Sequence, residues 1–188
     1  NFAAAFRAVQ GSRNPDLVKM VDFDEYYPSY QSAASFLSAP IIDGDEPVGV
    51  LVFQIPIDQI NITMTNSGSW SSVGLGRSGE TYMVSNDYSM RNDSRLLIED
   101  PDSFFGNLQK QNIPAEKITR IRSLQSSILI QNAKSEATIR AIKGEKGTAL
   151  VTNYLGNQVL SAFSPLKIPD VNWAIISEIE EAEVNEYT

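Results

Sequence analysis

The sequence predicts an α+β fold of two modules, each an antiparallel sheet flanked by helices, with the first module truncated at its start. Three observations predict this fold. Strand-like apolar runs separated by turn residues recur along the chain. An Asp-Gly-Asp turn at residues 43–45 joins two of these runs, which is a strong signal for a hairpin. The order helix, strand, long strand, turn, strand, helix also appears twice, with a strand running into a helix at Ile57 and again at Ile179.

The first module is predicted to contain a helix, three strands and a second helix. Phe2, Phe6 and Val9 lie at helical spacing, and Gly11 ends the helix. Asp58 begins the second helix, because its side chain can accept hydrogen bonds from the free amides of a first turn. The strands are predicted at residues 17–23, 32–43 and 46–57.

The second module is predicted to combine strands with a mainly helical insertion at residues 96–134. Within that insertion, Ile118 and Ile121 lie on one helical stripe. Ser135 is placed to cap a short helix that ends at Gly144. The strands are predicted at residues 80–87, 88–95, 147–154, 157–166 and 172–179.

A segment rich in Gly and Ser, NSGSWSSVGLGRSG, separates the two modules. The chain starts without Met inside a predicted helix, and it shows no signal peptide. It is therefore interpreted as a fragment of a longer protein. The predicted boundaries are residues 1–65 for the C-terminal part of the first module, 66–79 for a linker, and 80–188 for a complete second module that ends in the start of an output helix.

Composition excludes several classes of function. The net charge of -8 would repel a phosphate backbone or an anionic membrane surface, so no nucleic acid partner is expected. The chain contains no Cys and no His, which rules out thiol catalysis, thiolate and imidazole metal ligands, and every His-dependent triad. The longest apolar run, at residues 48–57, is far shorter than the roughly 20 residues that cross a membrane.

Three segments of the chain resemble a known family. The run VDFDEYYPSYQSAASFLSAPIIDGDEPVGVLVFQIPIDQIN resembles the latter half of a membrane-distal Cache module. The run GLGRSGETYMVSNDYSMRNDSR resembles the start of a membrane-proximal one, and GEKGTALVTNYLGNQVLSAFSPLKIPDVNWAIISEIEEAE resembles its end. The chain is thus similar to the double Cache sensor regions of bacterial chemoreceptors, sensor histidine kinases and cyclases.

This resemblance implies PAS-like modules with antiparallel sheets of about five strands. It also implies an extracytoplasmic sensor region of an inner-membrane receptor, anchored through segments outside this fragment. Such a region would bind a small molecule (an amino acid, amine or carboxylate), act as a homodimer and signal through its C-terminal helix to a histidine kinase, chemotaxis or cyclase output. The fragment itself is not expected to be an enzyme, and no cofactor or metal is expected.

The first module offers a candidate binding loop rich in aromatic and hydroxyl groups. Such a loop can supply a flat wall and directional hydrogen bonds to a small polar ligand, or it can be a turn whose tyrosines cover the sheet edge. The flanking carboxylates could hold a ligand ammonium group or face the solvent. The candidates are Asp22, Asp24, Tyr26, Tyr27, Ser29 and Tyr30.

The second module offers Tyr82, Arg91, Asp93 and Tyr154 as candidate ligand-binding residues. Arg91 could bind a ligand carboxylate through two parallel hydrogen bonds. The alternative is a surface ion pair between Arg91 and Asp93, because strict alternation points Arg91 away from the core face if Met90 faces inward.

Two other functions remain open from the sequence. One is a structural or protein-interaction module of a periplasmic protein that binds no ligand. The other is a hydrolase that uses paired carboxylates, which would require two of them in one cleft. The acidic pairs at residues 43 and 45 and at residues 180 and 181 already have structural reasons, in a turn and at a helix start.

Overall fold

The computed structural model describes residues 1–186 and divides them into two compact units. Unit 1 comprises residues 1–57 and 168–171, and unit 2 comprises residues 58–167 together with the chain from residue 172 onward. The predicted linker at residues 66–79 therefore lies inside unit 2. It is not an open linker because Trp70 is buried there and the Arg95 guanidinium stacks 4.8 Å above the indole ring. Tyr187 and Thr188, which belong to the predicted second module, lie outside the described residues.

Unit 1 is a three-stranded antiparallel sheet with one helix packed on it. Ala5 of the helix packs against Ala34 and Phe36 of the central strand, and these three form its core. Gly44 has a positive φ of 61° in the predicted hairpin turn, a conformation that glycine adopts without steric cost. In chain order the elements are α1 (Phe2–Val9), β1 (Lys19–Glu25), β2 (Ala33–Asp43) and β3 (Glu46–Ile55), with strand order β1-β2-β3.

In its described residues, unit 2 combines a four-stranded antiparallel sheet of strand order β4-β7-β6-β5 with six α-helices. The predicted helical insertion is present as three short helices, which lie in the chain between the strand at residues 80–84 and the strand at residues 147–152. The helices are α2 (Ile57–Thr65), α3 (Arg95–Glu99), α4 (Pro101–Lys110), α5 (Ala115–Leu124), α6 (Glu136–Ile142) and α7 (Glu181–Asn185). The strands are β4 (Glu80–Val84), β5 (Gly147–Thr152), β6 (Gln158–Leu166) and β7 (Trp173–Glu180).

The α+β class with antiparallel sheets is confirmed, but the prediction of a strand at residues 88–95 is wrong. Only isolated bridges form there, between Val84 and Met90 and between Ser89 and Asn132. Pairing with β4 stops because the Asn92 side chain takes the place of a strand backbone: its Oδ1 accepts the amide of Met83 at 2.8 Å. The sheets consequently have three and four strands, where about five each were implied.

The core of unit 2 lies between the sheet and α6. Alternation along β4 and β7 turns Tyr82, Val84 and Ile176 inward, where they are fully buried with the alanines of α6. The serine at the start of α6 forms the predicted cap, as part of a capping box with Thr138. None of the helices within residues 1–186 combines the length and the apolar character that a membrane span requires.

Candidate functional site

Two carboxylates lie opposite each other on the buried face of the unit 2 sheet. Glu80 of β4 is the register partner of Glu178 of β7, and the two residues are only 5% and 3% exposed. They share this face with Tyr82 and Ile176, so the strand alternation that buries apolar residues also buries the two acids. A buried carboxylate is costly unless hydrogen bonds compensate for the lost water.

Tyrosine and amide groups supply those hydrogen bonds. The Tyr154 hydroxyl donates to Glu80 at 2.6 Å, and the Tyr82 hydroxyl donates to Glu178 at 3.1 Å. The Asn153 side-chain amide donates to the second oxygen of Glu178 at 2.9 Å. The two tyrosine rings pack edge to face, with their centroids 5.6 Å apart. The acids and their donors therefore form one continuous buried network.

The first turn of α3 completes the network around Glu80. The backbone amide of Arg95 donates to the carboxylate at 2.6 Å, and the Ser94 hydroxyl lies 2.7 Å from the Tyr154 hydroxyl. The Arg95 guanidinium also attracts the negative charge of Glu80, although its own hydrogen bonds go to Glu99 and to the carbonyls of Gly76 and Gly79.

Burial controls the protonation of this network. Loss of water and, to a smaller extent, the negative charge of Glu80 together raise the pKa of Glu178 to about 7, although the hydrogen bonds from Asn153 and Tyr82 oppose this rise. Burial likewise raises the pKa of Glu80 above its ordinary value of 4.5. The pKa values of Tyr82 and Tyr154 are raised well above 10 by burial and by the nearby carboxylates, so both tyrosines keep their protons and act as donors.

The residues next to the network form a tight turn that leads from β5 to β6. Asn153 Oδ1 accepts the amides of Leu155 and Asn157, both at 3.0 Å, and Gly156 has a φ of 90°. The side chain of Gln111, at the end of α4, donates to the carbonyl of Tyr154 at 2.9 Å. These bonds hold the turn in one geometry, as a preformed binding surface requires.

A cavity of about 290 Å³ lies against this turn in unit 2, which is large enough for an amino acid or a short organic acid. Asn153 and Tyr154 form one wall. Three isoleucines supply apolar surface, and lysines contribute positive charge at the rim, where both are exposed. The lining residues are Gln111, Ile113, Lys117, Ile121, Ile130, Gln131, Asn132, Lys134, Asn153 and Tyr154.

The charges of the cavity suit a ligand that carries a carboxylate. Within residues 1–186, neither Lys117 nor Lys134 forms an ion pair, so both charges are available to an anion. Lys134 lies over the ring of Tyr88, with its Nζ 5.3 Å from the centroid, which fixes its direction. The side-chain amide nitrogens of Gln131 and Asn153 already donate to the carbonyl of Asn132 and to Glu178, and each carries a second N–H that can serve as a directional donor.

The structure brings two of the predicted residues of the second module together, Tyr82 and Tyr154. Their part in ligand binding stays a prediction, since only Tyr154 lines the cavity. Arg91 is buried, donates to the carbonyl and the hydroxyl of Ser89, and forms an ion pair with Asp87 at 3.2 Å. The suggested surface ion pair between Arg91 and Asp93 is therefore wrong.

Asp93 is a buried structural acceptor. It accepts hydrogen bonds from the side chains of Asn61 and Ser126 and from the amide of Ser127, each at 2.7 Å. Asn61 in turn accepts the backbone amide of Asp93 at 2.9 Å. Asp93 thus fastens α2 and the segment after α5 to the irregular stretch that follows β4.

The loop of unit 1 is a short 3₁₀ turn, and its predicted residues do not converge. Tyr27 and Tyr30 are 78% and 91% exposed, while Tyr26 packs edge to face on Phe36 at 5.1 Å. Ser29 is half-buried in the same turn. The carboxylates of Asp22 and Asp24 each accept the amide of the next residue, at 2.7 and 2.8 Å. A role of this loop in ligand binding stays a prediction.

Sequence reasoning missed Glu80, Glu178 and Asn153. A usable signal existed for the two acids, because each occupies an inward position of a strand whose other inward residues are apolar. The lysines of the cavity carried no such signal, since Lys117 and Lys134 are exposed residues on separate segments. No group of three or more Asp, Glu, His or Cys side chains within residues 1–186 could hold a metal ion.

Comparison with known proteins identifies the fold. No protein-family model matches the sequence, and no curated protein sequence matches it significantly. Solved structures do match: the ligand-binding domain of the Pseudomonas fluorescens chemoreceptor CtaA with L-leucine superimposes with a TM-score of 0.50 at 12% identity, covering 96% of this chain and 59% of that one.

Two further chemoreceptor domains have the same fold. The ligand-binding domain of PctB from Pseudomonas aeruginosa, in complex with L-Arg, has a TM-score of 0.52 at 14% identity over 96% of this chain and 60% of that one. The periplasmic sensory domain of Tlp1 from Campylobacter jejuni has a TM-score of 0.50 at 14% identity over 92% and 52%. The chain therefore spans between 52% and 60% of the length of these domains, and the resemblance to sensor regions is confirmed at the level of the fold.

Proposed function

We propose that this chain is part of an extracytoplasmic sensor that binds a small molecule carrying a carboxylate group, such as an amino acid, in the cavity of unit 2. One observation carries the proposal: the polar wall of the cavity is hydrogen-bonded to β7, the strand that continues directly into α7. A ligand that moves Asn153 or Tyr154 acts on the acids behind them, and Glu178 lies two residues before the end of that strand.

Amino acids fit the chemistry of the site. The ligand carboxylate would bind both Lys117 and Lys134, and the ligand amine would face Tyr154 and Asn153, in front of the buried acids. The chemoreceptor domains of the same fold bind L-leucine and L-Arg, which supports this class of ligand. In the whole protein, α7 would lead toward a membrane anchor and a chemotaxis or histidine kinase output, with the receptor acting as a dimer.

The same geometry argues against a hydrolase. Glu80 and Glu178 are close together, as paired-carboxylate catalysis requires, but they lie behind Tyr154 and Asn153 and do not line the cavity. General acid-base catalysis requires direct reach, or reach through one water, to the reacting proton. We therefore assign the acids to the support of the binding wall.

A thermal-shift screen of the chain tests the proposal. The panel comprises the twenty standard amino acids, γ-aminobutyrate and short organic acids, and at least one compound should raise the midpoint of unfolding by several degrees, because a ligand stabilises the state that it binds. Lys117→Met and Lys134→Met should each weaken binding of that compound about tenfold or more, since each removes a charged hydrogen-bond donor.

Lys167→Met is the matched control, because it removes the same charge at an exposed position that does not line the cavity. It should leave the affinity unchanged. Absence of stabilisation by every compound of the panel would contradict the proposal and favour a structural or protein-interaction module. Equal weakening by Lys167→Met would show that net charge is responsible and not the cavity.

A further inference from the structure

The acid pair of unit 2 lies between two features that the proposed function connects. On one side, Glu80 and Glu178 are each held by a residue of the cavity wall, Tyr154 and Asn153 respectively. On the other side, β7 continues into α7 after Glu180. A change of charge in the pair therefore acts on both cavity-wall residues at once, and on the strand that leads to the C-terminal helix.

The groups that face the pair do not neutralise two negative charges. From β4 and the turn after β5 come the tyrosine hydroxyls and the amide of Asn153, all uncharged. From α3 comes Arg95, whose guanidinium is shared with Glu99 and two carbonyls. The buried side chains of α6, which packs on the same sheet, are those of Ala137, Thr138 and Ala141, and all three are uncharged.

Glu180 and Glu183, which follow Glu178 in the chain, are engaged elsewhere. The carboxylate of Glu180 accepts the side-chain amide of Asn157, and that of Glu183 accepts the backbone amides of Arg77 and Ser78, both at 2.8 Å. Ionisation of both carboxylates is energetically unfavourable, because they are buried, face each other and share a single cation with another acid. In such pairs one carboxyl group commonly keeps a proton.

Ser161 is the buried hydroxyl that faces Glu178 from β6. It lies opposite Glu178, is fully buried, and its hydroxyl oxygen has no hydrogen-bond partner among residues 1–186. The two side chains form no hydrogen bond with each other, so donation from a protonated Glu178 to Ser161 requires one of them to turn toward the other. The pair therefore has an unpaired acceptor beside it, on the neighbouring strand.

We propose that the Glu80–Glu178 pair of unit 2 is a proton-binding site, and that the binding or release of its proton changes the cavity wall through Asn153 and Tyr154. The proton comes from the solvent and converts one carboxylate to a carboxylic acid, with no other bond formed or broken. The effect on ligand affinity rests on the proposed function, whereas the proton site itself stands on the geometry of the pair.

The test is an NMR titration of the isotope-labelled chain from pH 5 to pH 9 without any added ligand. The side-chain carboxyl carbon of Glu178 should titrate with a midpoint of about 7, and the side-chain amide signals of Asn153 should move with the same midpoint. Glu178→Gln should abolish the transition of Asn153. The matched control Glu116→Gln, at an exposed position of α5, should leave it unchanged.

A second variant keeps the test decisive if Glu178→Gln does not fold. Glu80→Gln removes the like charge opposite Glu178, so the midpoint of Glu178 should fall. A carboxyl signal of Glu178 that does not change between pH 6 and pH 8 would overturn the proposal, as would an Asn153 signal that stays constant while Glu178 titrates. Because no ligand is present, failure here leaves the thermal-shift screen unaffected, and failure of that screen leaves the titration unaffected.

Discussion

Glu178 shows how the position of one residue in a strand decides its chemistry. The side chain points to the same face as Ile176, and this placement removes water from the carboxylate and raises its pKa to about 7. Donors at Tyr82 and Asn153 compensate for part of that cost but not for all of it. The fold therefore holds next to the cavity wall an acid whose ionisation near neutral pH is energetically unfavourable.

This acid makes the stability of unit 2 depend on pH in an unusual direction. The pKa of Glu178 is about 7 in the folded chain and has its ordinary value of 4.5 in the unfolded chain, so the folded chain binds more protons between these two pH values. The stability that protonated Glu178 contributes is fully present below pH 4.5 and is lost as the pH rises through 7. The free energy of unfolding should therefore fall by about 3 kcal/mol at pH 8 and above.

Urea unfolding at pH 5 and pH 8 measures this effect as a difference between variants. Glu178→Gln should be more stable relative to the wild type at pH 8 than at pH 5, because the variant has no charge to bury. Glu116→Gln should show no such difference between the two pH values. A gain by Glu178→Gln that is equal at both pH values would contradict the assignment.

The hydroxyl of Tyr154 provides a second test at the residue scale. Tyr154→Phe leaves the ring in place but removes the donor to Glu80 and the contact with Ser94. A buried acceptor that loses its donor costs about 1–3 kcal/mol. Tyr30→Phe is the matched change at an exposed position and should stay within about 0.5 kcal/mol of the wild type by chemical denaturation.

At the scale of elements, local patterns predicted the parts whose structure is decided locally. The hairpin of β2 and β3 follows from the Asp-Gly turn, and α6 follows from its capping serine. The prediction of a strand at residues 88–95 was wrong because Asn92 and Asp93 form contacts with β4, α2 and residues 126–127. No local sequence pattern encodes these contacts. Tertiary hydrogen bonds there replace the strand that alternation predicted.

The Asp93 contacts give a prediction about these elements. Asp93→Ala leaves the buried amide of Ser127 without its acceptor and releases the side chain of Asn61 on α2. The free energy of unfolding should fall by about 3 kcal/mol, because several donors to one buried charge are lost together. Asp102→Ala, at an exposed position of α4, should change it by less than about 0.5 kcal/mol.

Hydrogen exchange can locate the consequence of Asp93→Ala. The amides of α2 and of residues 126–131 should exchange faster in the variant, while those of β6 and β7 should keep their protection, since the side-chain hydrogen bonds of Asp93 go to Asn61, Ser126 and Ser127. Uniformly faster exchange in unit 2 would show that the residue supports the whole unit and not this junction.

At the scale of the molecule, the fold could be predicted and the cavity could not. Resemblance in three segments indicated a sensor fold, and solved chemoreceptor domains superimpose on nearly the whole chain. The cavity joins α5, residues 130–134 and the turn at residues 153–154, which are distant in the sequence. Its charges come from lysines that look like ordinary surface residues, so only the folded chain reveals that they surround one space.

Ligand binding in the cavity of unit 2 can be tested most directly by a map of backbone and side-chain chemical shifts with and without the most stabilising compound of the thermal-shift panel. Binding there should concentrate the changes at Gln131, Lys134, Asn153 and Tyr154, with smaller changes along β7 to Glu180. Changes confined to the loop around Tyr27 and Tyr30 of unit 1, with none at the cavity of unit 2, would contradict it.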